Sequence, residues 1–118
     1  MSIAVPLEQL AQAVAEFGPT GYLMSTGGDG RTRINHVRFE ASGSELRAGV
    51  GRRTAEALAS SPLVSCLWPA VEDGGMSLIA DGHATLERSG DEVTAVIAVT
   101  WAVRHAPPRS PATGTGQG

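Results

Sequence analysis

The order of apolar and polar positions divides this chain into short elements. Between Leu7 and Phe17 the residues Leu7, Leu10, Ala11, Val14 and Ala15 recur at three- and four-residue steps, which predicts one buried face of a helix. Pro6 suits the first turn of such a helix, and Gly18-Pro19 ends it. From Tyr22 onward the period shortens. Tyr22–Thr26 reads as a strand, Gly27-Gly28-Asp29-Gly30 as a hairpin turn, and Arg31–Phe39 as the returning strand. On that strand Arg33, Asn35 and Val37 share one face, while Ile34, His36 and Arg38 share the other. Neither face is cleanly apolar, as expected of a strand partly covered by a ligand or a second subunit.

A second turn at Ala41–Ser44 leads into a strand over Glu45–Val50, and a short helix follows over Thr54–Ser60. Pro62 stops that helix, because its predecessor is biased away from helical geometry. Leu63–Trp68 reads as a buried strand, Pro69–Gly75 as an exposed acidic loop, and Met76–Glu87 as a longer strand. Gly82 inside that strand predicts a bulge or a close backbone approach. After a turn at Ser89–Asp91, Val93–Arg104 allows a helix, but its β-branched density favours a strand buried on both sides. From Pro107 the sequence PPRSPATGTGQG is too poor in apolar residues to pack, so a disordered tail is expected over 107–118.

The expected fold is therefore mainly β: one domain over residues 1–106, a small six-stranded antiparallel barrel. One helix precedes the barrel and a short one lies between its third and fourth strands. With 118 residues, 42% of them hydrophobic, the core is modest. The barrel is expected to be incomplete, with its last strand buried by homodimerisation. The single Cys66 rules out an intrachain disulfide and fits a reducing compartment. Inside an apolar run, it reads as a small core hydrophobe rather than a reactive thiol. No apolar stretch reaches membrane-spanning length, which points to a cytoplasmic protein with no membrane partner.

Charge changes the picture at one place. There is no lysine, and six of the nine arginines (Arg31, Arg33, Arg38, Arg47, Arg52, Arg53) fall between positions 31 and 53. Opposed only by Glu40 and Glu45, that segment carries +4, while three arginines against ten acids leave the remainder at −7. A basic island in an acidic chain suits a small anionic ligand better than nucleic acid. A solvated strand face would read the same way.

The island culminates in Gly49-Val50-Gly51-Arg52-Arg53-Thr54, a strand-to-helix corner. Two glycines there allow a sharp turn and close approach of a ligand. Arg52 and Arg53 stand at a helix N-terminus, where exposed cations are disfavoured by roughly 0.3–1 kcal/mol each. A bound phosphate would reverse that sign. Without one, both arginines simply point into water.

In order, DGRTRINHVRF, LRAGVGRRTAEALASSPLVSCLWP and LIADGHATLE resemble the pyridoxamine-phosphate-oxidase-like flavin-binding split-barrel family, from about Tyr22 to Glu87 and more loosely to Pro107. The succession is more specific than any one motif. The resemblance implies a homodimer with a flavin at the seam. Its phosphate would be held by Arg33 and Arg38 on the strand and by Gly51, Arg52, Arg53 and Thr54 at the corner. Backbone groups of Ile34, Asn35 and His36 would run along the ring system. Ser77 stands where family members often carry a glutamine near the ring. Arg104 and His105 are adjacent rather than spaced as Arg-x-His, so vitamin B6 oxidation is not implied.

The cofactor implied is FMN or a deazaflavin coenzyme. A bound flavin supplies the hydride chemistry itself, so no general acid or catalytic side chain is assigned. His36 could donate to cofactor or substrate, or be a structural histidine. The scattered histidines and Cys66 have no metal-ligand spacing, and Trp68 and Trp101 read as core or interface anchors. Two functions stay open: an oxidoreductase acting on a small molecule, or a protein of the same fold that binds flavin, deazaflavin or haem for storage or sensing.

Overall fold

A computed structural model of the chain describes residues 1–108. Its strands are β1 (Ser2–Ala4), β2 (Thr20–Thr26), β3 (Thr32–Ser42), β4 (Glu45–Val50), β5 (Leu63–Trp68), β6 (Ser77–Ser89) and β7 (Glu92–His105). Two helices accompany them, α1 (Leu10–Phe17) and α2 (Arg52–Ser60). The sheet runs β1-β7-β4-β3-β2-β5-β6, and β6 also pairs with β7. Every pairing is antiparallel. Six strands thus close into a barrel, and β1 extends β7 at one end.

Closure corrects the expectation of an incomplete barrel. The physical reason lies in β6 and β7, whose 13 and 14 residues let one hairpin pair with β5 on one side and β4 on the other. The register between them shifts at Asp81/Gly82, the bulge that Gly82 predicts. A Cβ on Gly82 would lie 2.3 Å from the carbonyl oxygen of Ala98. Only a glycine lets the two backbones approach there, and the strong bend turns the ladder around the core.

Inward side chains alternate along each strand. Leu23, Phe39, Leu46, Cys66, Trp68, Leu78 and Ile97 fill the interior, with alanines at 48, 80, 84 and 95 where the barrel is narrow. Phe39 packs on Trp68 with ring centroids 4.8 Å apart, which makes Trp68 the core anchor of the pair. Gly21 lies against both rings, since a Cβ there would come 3.2 Å from Trp68 and 3.3 Å from Phe39, as well as 2.7 Å from the Leu67 carbonyl.

Several boundaries differ from the sequence reading. The N-terminal helix begins as a single 3-10 turn at Leu7–Gln9, and α1 proper buries Leu10, Ala13 and Val14 while Ala15 stays exposed. Phe17 is drawn half into the core, so the buried stripe is rotated toward it. β7 is a strand, but not one buried on both sides: Ala95, Ile97 and Val99 point inward, while Ala98 and Trp101 are exposed. β3 runs on to Ser42, and the turn tightens to Gly43-Ser44, with Gly43 at φ 59°. The tail expected from Pro107 lies, from residue 109 onward, outside the described residues. No helix among the described residues is long and apolar enough to cross a membrane.

Candidate functional site

The strand-to-helix corner stands where expected, with α2 starting two residues earlier, at Arg52. Gly51 is its N-cap at φ −81°, ψ 176°, an extended conformation open to any residue. A Cβ at Gly49 or at Gly51 would meet nothing within 4 Å. The turn therefore does not require either glycine, contrary to the sequence argument. What the two glycines provide is bare backbone beside open space. Among the described residues no side chain caps α2, so its first N–H groups are left to solvent or to a ligand.

Thr54 turns inward and is 6% exposed. Its hydroxyl donates to Oδ1 of Asn35 at 3.0 Å, so these two expected site residues hold the corner against β3.

Arg33 lies on the same face of β3 as Asn35, and there it meets Arg53. Both line one cavity of about 400 Å³, together with Gly27, Asp29, Glu56 and Ser60. A Cβ on Gly27 would come within 3.3 Å of the Arg33 guanidinium and 3.2 Å of the Asp29 carboxylate, so the hairpin glycine makes room for both side chains. Asp29 Oδ1 accepts the Arg31 N–H at 3.0 Å, and Oδ2 lies 3.8 Å from Arg33.

Arg38 projects from the opposite face. It lines a separate depression of about 300 Å³ with Glu40, Arg47, Gly49 and Thr94. Arg47 in that depression is paired to Glu45 at 3.1 Å and to Glu87. The hydrogen bond to Glu45, and then the charge of Glu87, raise its pKa further above the ordinary arginine value. Arg52 is exposed beside the corner. Ile34 and His36 are exposed on the outer face, where His36 stacks on Tyr22 with centroids 4.7 Å apart. The imidazole is therefore not an inward structural group. Ser77 opens β6 and lines another depression with Ala70, Glu72 and His105. One cavity thus gathers Arg33 and Arg53, and within one chain it gathers neither Arg38 nor Ser77.

Asp29, Glu56 and Gly27 escaped the sequence reading. Asp29 and Gly27 registered only as turn residues. Glu56 follows Arg53 by three positions, a spacing that puts both on one helix face.

An outer row of cross-strand partners also emerges only from the register. Ile34 pairs with Met24, Met24 with Ser65, Ser65 with Asp81, and Asp81 with Trp101. Ile34 is 62% exposed and Trp101 49%.

No protein-family model matches the sequence. An uncharacterized protein of Mycobacterium bovis is 34% identical over 100 residues, spanning 75% of this chain and 68% of its own length. An uncharacterized protein of Mycobacterium tuberculosis matches to the same extent. At that identity and coverage all three chains are one family. Among solved structures, a candidate pyridoxamine 5′-phosphate oxidase from Listeria innocua superposes with a TM-score of 0.71 at 20% identity, over 84% of this chain and 98% of that one. The chain has the split-barrel fold of the pyridoxamine 5′-phosphate oxidase-like proteins. Other split barrels resemble it nearly as well. An F420 reductase gives a TM-score of 0.69 at 17% identity over 83% of this chain and 98% of its own. The haem storage protein HutZ of Vibrio cholerae gives 0.67 at 14% identity, over 86% and 97%.

Proposed function

We propose that this split barrel is a flavin- or deazaflavin-dependent oxidoreductase working as a homodimer, with the coenzyme phosphate held by Arg33 and Arg53. The observation that carries the reading is the convergence of those two guanidiniums, from β3 and from the first turn of α2, on one cavity. Charge-assisted hydrogen bonds from arginine and from a helix N-terminus are the chemistry a phosphate requires.

Arg52 adds charge at the corner, and the Thr54–Asn35 bond fixes the angle at which α2 presents Arg53. The backbone of Ile34, Asn35 and His36 runs along the ring, and Arg38, on the other face, serves the ring or ribityl side. Ser77 contributes near the ring from its own depression. The flavin ring supplies hydride or electron transfer to an unidentified small molecule, and the protein positions it and excludes water. The exposed row from Ile34 to Trp101 supports a second copy of the chain as the cover for this face.

The alternative is a binding, storage or sensing protein of the same fold. Its haem version is less well supported, because the residues described at the arginine cavity are arginine, acidic, serine, glycine and alanine, which suit a phosphate better than a haem iron. Purified protein titrated with FMN and with the deazaflavin coenzyme should quench the fluorescence of one of them to a saturating end point. Reoxidation of the reduced complex by added quinones or other small unsaturated acceptors separates an enzyme from a binder. A protein that binds neither coenzyme would end both readings.

A further inference from the structure

We infer that Asp29, seconded by Glu56, makes this cradle select a phosphate esterified on two sides, carrying one negative charge, over a terminal phosphate monoester. The inference rests on the proposed cradle and concerns which coenzyme it accepts. The charged side chains lining the cavity are Arg33 and Arg53 against Asp29 and Glu56, which cancel. Arg52 stands outside the lining set, and along α2 the cavity runs from Arg53 to Ser60, so neither end of the helix tips the balance. A phosphate monoester carries about −1.5 to −2 near neutral pH. A diester carries −1, because its second acidic proton has been replaced by an ester bond. A cavity with no net charge of its own opposes the first more than the second.

Asp29 is built into this position. Its Oδ1 is committed to the Arg31 N–H in the turn, and its Oδ2 faces the Arg33 guanidinium at 3.8 Å. Gly27 removes the Cβ that would crowd both groups. The carboxylate therefore stays beside whatever anion Arg33 binds. Any ligand oxygen approaching Arg33 is also approaching a fixed negative charge, and the penalty grows with the ligand's own charge.

The test compares ligands that share a ring and differ only at phosphorus: riboflavin, FMN and the monomethyl phosphate ester of FMN. These are titrated by fluorescence into the wild-type protein, Asp29→Asn and Glu56→Gln. Asparagine keeps the acceptor that the Arg31 N–H needs, so the hairpin is preserved. The wild type should bind the ester at least as tightly as FMN, and Asp29→Asn should tighten FMN about five- to tenfold while moving the ester about twofold or less. The deazaflavin coenzyme, run alongside, tests a natural source of the doubly substituted phosphate. Preference of the wild type for FMN over its ester, or an unchanged ratio in both variants, overturns the selectivity and leaves the cradle standing. Riboflavin binding as tightly as FMN and the ester would remove the cradle itself, and this inference with it.

Discussion

The hydroxyl of Thr54 donates to Oδ1 of Asn35 at 3.0 Å, and this bond fastens the first turn of α2 to the strand that carries Arg33. Thr54 is nearly buried, so its oxygen cannot turn to water instead. Thr54→Val keeps the shape and strands the Asn35 amide, and should cost about 1–2 kcal/mol of stability. Thr54→Ser restores the donor and should recover most of that loss. Denaturant unfolding of the two variants checks the pair. Equal losses in both would mean that the methyl group matters and the hydrogen bond does not.

Arg53 is exposed, and among the described residues no carboxylate forms an ion pair with it. Arg53→Ala should therefore leave the unfolding midpoint within about 0.5 kcal/mol of wild type. Coenzyme affinity should fall about ten- to hundredfold, the value of a charge-assisted hydrogen bond to phosphate. Fluorescence titration beside a melting curve measures both. Unchanged affinity in the folded variant would take Arg53 out of the site.

Much of this site could be read from strand parity. Arg33 and Arg38 are five residues apart, so a regular strand must send them to opposite faces, and it does. The turns were also legible, because Gly30, Gly43 and Gly90 adopt positive φ where the hairpins require it. Other features depended on pairing partners distant in sequence. β1 is three residues with no alternation long enough to show, and it exists because Ile3 finds Arg104 on β7. The carboxylates facing Arg33 and Arg53 belong to a turn and a helix whose relative placement no local pattern encodes. Closure of the barrel was hidden for the same reason, although the residue that permits it, Gly82, was visible as an anomaly within its strand.

Cys66 tests how dry the core is. Burial, with a smaller contribution from the charge of Asp81, pushes its thiol up to about 12 from 9.0. The folded protein then keeps this proton through a range in which the unfolded chain releases it. Stability is full below about pH 9 and falls between pH 9 and 12, with a slope approaching about 1.4 kcal/mol per pH unit from this group. Cys66→Ala should remove that slope, whatever it costs in packing. In the native protein at pH 8, the thiol should resist alkylation until denaturant is added. Rapid labelling under native conditions would mean that the barrel opens there.

The bulge at Gly82 carries the last prediction. A methyl group at this position would need to occupy space 2.3 Å from the Ala98 carbonyl oxygen and 3.0 Å from Cγ2 of Ile97. Neither neighbour is the free end of a flexible side chain, since one is backbone and the other is packed in the core. Gly82→Ala should thus force β6 and β7 apart at the point where the barrel closes, costing about 3 kcal/mol. For a domain of this size that is a drop of roughly 10 °C or more in Tm. Gly49→Ala is the matched control, because its Cβ meets nothing within 4 Å and its backbone has no positive φ. That control should be neutral or slightly stabilising, through the reduced freedom of the unfolded chain. If the two variants melt together, the close approach of β6 to β7 does not hold the barrel shut.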